Sequence, residues 1–371
     1  MENQNCTNWL EIDLGVIRAN IKNLMEITQR PIMPVVKANA YGLGALEVAK
    51  AAGQAGASWF GVARLEEALK LRQGGINHPI LVLGYTPPVC IPEAVRNDIR
   101  VTVYNLDTAS AYHAIAKKTG TKLKIHVKVD SGMGRLGIFP EDGVEFLQDL
   151  LTLDGIFVEG MFTHFARADD PQLPTTDWQI DRFGALVAEL QAARLKPPLI
   201  HAANSAGSIH FARSYFDLVR AGAAIVGINP NPPDSMLPAG VKPAFSWKTR
   251  LISVKMMPSG SGIGYGHRYI TSKTERIGVI ATGYGDGYRR IPGNTVIVHG
   301  KMVPVVGGVC MDQCMVQLDG VPEAQIGDEV LLLGTQGMCS ITAEDLATLW
   351  KTINYDVITS LAERITRIYL D

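Results

Sequence analysis

Between Ile32 and Arg220 the chain repeats one rhythm eight times: a short apolar, strand-like run, then an amphipathic stretch. No other feature limits the fold as much. The runs are 32–37, 59–62, 80–83, 101–104, 124–130, 158–164, 199–203 and 217–220. Most are near-continuously apolar, which suits parallel strands buried on both faces. Between them, 65–71 and a segment from Asp177 to about Arg194 carry helical spacing. Eight evenly spaced βα units over roughly two hundred residues predict a closed (β/α)8 barrel rather than a doubly wound sheet.

After Pro230 the character changes. Pro230, Pro232, Pro233, Pro238 and Pro243 mark a linker. Beyond it, 250–255, 274–282, 295–299, 301–306 and 330–333 alternate like short strands, so a β-rich second domain is expected. The division falls at 1–237 and 238–371. The early segment 9–13 also alternates and can pair with the C-terminal sheet. A chain of 371 residues exceeds one ordinary core, in keeping with two domains.

Composition excludes several classes. The net charge of −1 gives no reason to expect nucleic acid or an anionic membrane as partner. No apolar run approaches membrane-spanning length, and the first residues carry neither a basic flank nor an apolar core of a leader. The five cysteines are odd in number and scattered, and Cys310 and Cys314 lack a second Cys/His pair. No zinc site or other metal is expected, and a reducing cytoplasm is.

The unusual polar residues fall at strand ends, where barrels of this type keep their functional groups. Lys37 ends the first strand. A lysine at the mouth of a buried strand is partly desolvated, which lowers its pKa and frees it as nucleophile or base. Lys128 and Asp130 end the fifth, followed by Ser131-Gly132-Met133-Gly134-Arg135. His164 ends the sixth. His201, Asn204 and Ser205 lie in or after the seventh, and Arg220 and Gly222 at the eighth. Strands seven and eight are the usual place of a phosphate site, with Ser205 as hydroxyl donor and 206–212 as a short helix. A phosphate there and an amine at strand one suggest pyridoxal 5'-phosphate, held by Lys37 as a Schiff base. The glycine-rich stretch 260–266 lacks a strand–loop–helix setting, so a dinucleotide site is rejected.

With these residues in view, nearly the whole chain resembles the alanine racemases, fold-type III pyridoxal phosphate enzymes. The resemblance rests on Val35-Val36-Lys37-Ala38-Asn39-Ala40-Tyr41-Gly42, Asp130-Ser131-Gly132-Met133-Gly134-Arg135-Leu136-Gly137, Thr163-His164-Phe165-Ala166 and His201-Ala202-Ala203-Asn204-Ser205. Gly285-Asp286-Gly287-Tyr288-Arg289-Arg290, Cys310-Met311-Asp312-Gln313 and Ile353-Asn354-Tyr355 add to it. It implies that Lys37 is the cofactor lysine and the base on one face of alanine. Tyr265 would be the base on the other face, arriving from the partner in a homodimer with shared sites. His164 and Arg135 would be the cations that favour its phenolate. Arg220 would face the pyridine nitrogen. Tyr41, Ser205, Gly222, Ala223 and Tyr355 would cradle the phosphate, with His164 and Asn204 also at the cofactor. Arg135, Met311 and Asp312 would hold substrate, and Lys128 matches a lysine carbamylated in many relatives. The implied role is D-alanine supply for peptidoglycan.

Two positions depart from the family pattern: Leu43 stands where histidine is usual, and Gly308 where arginine is frequent. Three other readings compete. A serine or broader racemase is opposed by Tyr355, which leaves room for little more than a methyl group. A fold-type III decarboxylase should carry its own cysteine and acidic signature. A non-catalytic pyridoxal phosphate carrier would lack a β domain. Tyr284 and Tyr288 either line an entrance or pack, and Arg290 is placed at the entrance rather than in the chemistry.

Overall fold

A computed structural model describes residues 6–230 and 237–371. Pro232 and Pro233 of the proline-rich stretch lie outside these residues. The chain divides into two compact units. One is Val16–Ala40 with Ala45–Lys242; the other is the segment ending at Gly15, Tyr41–Gly44 and Pro243–Asp371.

Strand β1 (Asn8–Asp13) belongs to the second unit. The first unit holds eight parallel strands: β2 (Ile32–Pro34), β3 (Phe60–Val62), β4 (Ile80–Val82), β5 (Ile99–Val103), β6 (Leu123–Lys128), β7 (Ile156–Phe162), β8 (Leu199–His201) and β9 (Val219–Ala221). Strands β3 to β8 pair in chain order, and β2 pairs with β9. Single bridges, Val35 with Gly61 and His201 with Leu218, join the two sets and close the barrel. All eight expected runs form strands, each shorter or shifted by a few residues. The first strand ends at Pro34, and the Val35 bridge to Gly61 leaves Lys37 two residues beyond the last paired position. The two expected helices are Leu65–Gln73 and Thr175–Ala192.

Met33, Leu81, Phe162 and Leu218 make an apolar core cluster of this unit. Beside it runs a polar chain. Glu159 is the extra residue where the β6–β7 register slips, a bulge that re-aims its side chain. Gly160, next to it, is needed for close approach: a Cβ there would lie 2.6 Å from the His126 ring and 2.9 Å from the Leu199 carbonyl.

The second unit is a nine-stranded sheet. Its strands are β1, β10 (Phe245–Met257), β13 (Glu275–Ile280), β14 (Thr295–Val298), β15 (Lys301–Val306), β16 (Cys314–Gln317), β17 (Glu329–Gln336), β18 (Cys339–Ile341) and β19 (Thr366–Leu370). A separate two-stranded ribbon joins β11 (Gly262–Ile263) to β12 (Tyr269–Ile270). The long β10 pairs with β13 along one part and with β17 along another, so β10, β13, β16, β15, β14 and β17 form a ring. Closure of this kind removes exposed edges. β1 pairs antiparallel with β10 and parallel with β19. Tyr288 is fully buried between Trp247 and Trp350, with ring centroids 5.7 and 5.9 Å away, so it packs. Tyr284 is 44% exposed.

Candidate active site

In the first unit, the residues expected at strand ends do lie together. Arg220 is buried on β9 and its guanidinium needs partners there. It donates to the Thr163 carbonyl at 2.7 Å, the Ala202 carbonyl at 2.8 Å and His201 Nδ1 at 2.9 Å, with His164 Nδ1 at 3.5 Å. Burial lowers its pKa to about 9, which leaves it charged at neutral pH.

Because arginine only donates, His201 Nδ1 must accept. Neutral His201 then carries its proton on Nε2 and donates to His126 Nδ1 at 2.8 Å. That in turn puts the His126 proton on Nε2, 3.6 Å from Glu159 Oε2. Glu159 is held by Arg100, Nε to Oε2 at 2.8 Å. The bare donor count thus assigns both tautomers along a line from Glu159 to Arg220. His201 also stacks on Phe162, centroids 4.9 Å apart.

Lys128 is buried at the end of β6. Its Nζ donates to the Val129 carbonyl at 2.7 Å and lies 5.5 Å from the Phe162 ring centre. Burial, then the nearby Arg220, lower its pKa to about 7. Asp130 turns the chain after this strand. Its carboxylate accepts the N–H groups of Gly132, Met133, Gly134 and Arg135 at 2.7–3.1 Å. Burial pushes its pKa up, but these four donors bring it below the ordinary value. The loop presenting Arg135 is therefore wound on one fixed anion.

Lys37 is solvent-accessible, yet crowded enough that burial, followed by Arg135, lowers its pKa, while Glu67 opposes the fall. The sequence suggested His164 as a cation. Burial and then Arg220, Lys128, Arg135 and Lys37 push its pKa well below the ordinary value, so it is neutral at pH 7. Of the two expected cations, only Arg135 remains.

Asn204 caps the helix Ser205–His210, accepting from Gly207 N–H at 2.8 Å. This helix begins one residue earlier and ends two earlier than the expected 206–212. Ser205 Oγ accepts from the N–H groups of Gly222 and Ala224 at 3.0 and 3.3 Å, and Ala223 is buried between them. The two amides are spent on the Ser205 oxygen and orient its hydroxyl, which is left as the donor for an anionic oxygen at the end of β9.

In the second unit, the Tyr41 and Tyr355 rings lie 6.1 Å apart. Burial, then Tyr355, raise the pKa of Tyr41 above its ordinary value, so it stays a neutral donor. Leu43 is fully buried, an apolar place that a histidine would fill only with a hydrogen-bond partner. Tyr265 sits in a turn between Gly264 and Gly266, whose φ values are 68° and 72°, and is 71% exposed. Met311 is 53% exposed, and its carbonyl accepts from Gly285 N–H at 2.8 Å. Asp312 pairs with Arg364 at 2.8 Å, and Arg364 also holds Asp286 at 2.7 Å. A Cβ on Gly308 would lie 3.5 Å from the Arg290 guanidinium, so a cation occupies the neighbourhood even without the arginine frequent in relatives.

Sequence reasoning missed Glu67, Arg100, His126, Glu159 and Arg364. The alternation Lys124-Ile125-His126-Val127-Lys128 already placed His126 and Lys128 on one face. Glu159 depended on a bulge and had no such signal.

The family model for the alanine racemase N-terminal domain matches residues 12–230, and that for the C-terminal domain matches 244–369. The chain belongs to the alanine racemase family. It is 43% identical to an alanine racemase of Symbiobacterium thermophilum over 97% of this chain and 96% of that one. Among solved structures, alanine racemase from Streptomyces coelicolor A3(2) superposes with a TM-score of 0.94 at 34% identity, covering 100% of both chains. A histidine racemase from Leuconostoc mesenteroides superposes with a TM-score of 0.91 at 32% identity, covering 99% of each. Family membership carries the architecture: a barrel N-terminal domain and a β-rich C-terminal domain.

Proposed function

We propose that the protein interconverts L-alanine and D-alanine with pyridoxal phosphate and two bases. The observation that carries the reading is Lys37 at the barrel mouth, its proton affinity lowered by burial and then by Arg135. The residues fit the cofactor: an amine at Lys37 and, for a phosphate, the Ser205 hydroxyl oriented by the Gly222 and Ala224 amides. Bound there, pyridoxal phosphate supplies the electron sink that acidifies the α-proton of an amino acid. Lys37 would hold it, and Arg220, His164 and Asn204 would face it. Ser205, Gly222 and Ala223, with Tyr41 and Tyr355, are assigned to its phosphate.

Racemisation needs a base on one face of the substrate and an acid on the other. Lys37, whose pKa burial and then Arg135 lower, gives up its proton more readily than an ordinary lysine. Tyr265 is assigned the opposite face. A neutral phenol is a poor base at pH 7, and Arg135 is the cation left to favour its phenolate. Arg135, the Met311 backbone and Asp312 are assigned to the substrate, with Arg364 fixing the Asp312 carboxylate. The 71% exposure of Tyr265 supports a homodimer in which this phenol serves the other subunit's site. On this reading 1–237 binds the cofactor and 238–371 supplies the second base. Lys128, buried with a pKa near 7, offers the neutral amine that carbamylation requires. Among the described residues no helix is long and apolar enough to cross a membrane, and the proposed role is cytoplasmic D-alanine supply for peptidoglycan.

The test is α-proton exchange in deuterium oxide with L-alanine, L-serine and L-histidine side by side, chirality followed over time. Rapid exchange with full racemisation of alanine alone supports the reading. Comparable turnover of serine or histidine moves it to a broader racemase, a reading that the likeness to a histidine racemase keeps in view. No exchange with any of the three, despite cofactor on Lys37, overturns the two-base assignment.

A further inference from the structure

Ala38, Asn39, Ala40 and Tyr41 follow Lys37 with φ values of 50°, 55°, 52° and 59°. Four consecutive non-glycine residues in this region make a left-handed turn, which L-residues keep only when their surroundings hold them there. Two side chains do so. Asn39 Oδ1 accepts from Ala45 N–H at 2.8 Å, closing the turn on itself. Glu67 Oε1 accepts from Ala38 N–H at 2.6 Å, from another part of the barrel.

Glu67 is the third residue of the helix Leu65–Gln73. Its other oxygen, Oε2, accepts from Ala63 and Arg64 N–H at 2.8 and 3.1 Å, an ordinary way to start a helix. The bond to Ala38 is not part of helix capping. It ties the turn after β3 to the residue next to Lys37. Both jobs together require a carboxylate, because an amide has one accepting oxygen and would meet the second set of donors with its own N–H groups.

We propose that Glu67 is a positioning residue that clamps the left-handed turn and so fixes where Lys37 presents its amine. The role also sets the charge there. The charged groups facing Lys37 are Arg135 and Glu67, with neutral His164 nearby, and Glu67 alone favours the ammonium form. The clamp matters to catalysis on the reading that Lys37 is the reactive amine; its geometry does not depend on that reading.

Glu67→Gln isolates the clamp. Its oxygen can keep the two donors of Ala63 and Arg64 and so preserve the cap, leaving an amide N–H against Ala38. Backbone hydrogen exchange in the purified protein should quicken at Ala38 by about tenfold or more, while Ala63 and Arg64 stay protected. After removal of cofactor, the pH dependence of Lys37 acetylation, read by mass spectrometry, should shift to lower pH because a favourable negative charge is gone. Glu67→Asp keeps the charge but not the reach, so it should lose Ala38 protection and keep more of the Lys37 titration. Wild-type exchange at Ala38 with an unchanged Lys37 titration in Glu67→Gln overturns the proposal. So does equal loss of protection at Ala63 and Arg64, which would make Glu67 a helix cap only. Cofactor attachment to Lys37, trapped by borohydride, is scored separately: a protein that takes up no cofactor but shows both shifts refutes the cofactor reading and leaves the clamp standing.

Discussion

Lys128 carries a steep pH dependence at the candidate site. Folded, its pKa is about 7; unfolded, a lysine titrates near 10.5. Between those values the unfolded chain binds more protons, so stability rises with pH across that window. Below pH 7 the buried ammonium exacts its full penalty, on the order of 5 kcal/mol for a shift of this size. In carbon dioxide-free buffer, which keeps the amine unmodified, Lys128→Met should therefore be more stable than wild type at pH 6 by roughly a few kcal/mol. The gap should close as pH rises from 7 towards 10. Calorimetric melting at several pH values checks this, and a gap indifferent to pH would refute it. The two histidines behind Arg220 give the opposite expectation. Burial is the first cause lowering the pKa of both His126 and His201, so both stay neutral through the ordinary range. Nitrogen-15 NMR should show Nε2–H on each ring and no titration between pH 7 and 9; a protonated Nδ1 on His201 would break the assignment of Arg220 as its donor. These histidines also mark the limit of sequence reading at this scale. Lys37, Arg135, His164 and Arg220 stand out as polar groups at strand ends. Whether a histidine is charged depends on how deeply three-dimensional packing buries it and then on how many cations it meets there, and His164 was misjudged for that reason.

At the scale of elements, strands were legible and their ends were not. Apolar runs announce the buried part of a barrel strand but not its last residue: β2 closes at Pro34, yet Val35 N–H donates to the Ala221 carbonyl and Val36 N–H to the Gly61 carbonyl, through the end of the apolar run. The small strands of the second unit, such as β11, β12 and β18, hold two or three residues and give no periodicity to detect. The turn after Lys37 was invisible for another reason: Ala-Asn-Ala-Tyr favours no left-handed conformation by itself, and tertiary bonds impose it. Its hand makes a prediction with an unusual sign. In a right-handed helix, alanine to glycine costs about 0.5–1 kcal/mol. At Ala38, with φ of 50°, glycine relieves a left-handed penalty of roughly 1–2 kcal/mol that offsets its greater freedom in the unfolded chain. Ala38→Gly should leave stability unchanged or raise it by up to about 1 kcal/mol in urea titration. A loss of 1 kcal/mol or more would mean the turn is not left-handed in solution.

For the whole molecule, the decisive question is which chain supplies the second base. Lys37 lies in one compact unit and Tyr265 in the other, and the phenol is 71% exposed. An exposed phenol is open to a second copy, and insertion there would put it against fixed charges. Two inactive variants separate the possibilities. Lys37→Ala retains Tyr265, and Tyr265→Phe retains Lys37. If each site draws its tyrosine from the partner, a mixed dimer has one site with both bases and one with neither. Equal amounts, dissociated and reassociated together, should recover about one quarter of wild-type racemisation, because half the dimers are mixed and each carries one intact site of two. If both bases come from one chain, no mixture can unite them and activity stays at the level of the variants. Size-exclusion chromatography of the same samples completes the measurement: recovery must track the dimer fraction, and recovery in a monomer peak would exclude the shared site.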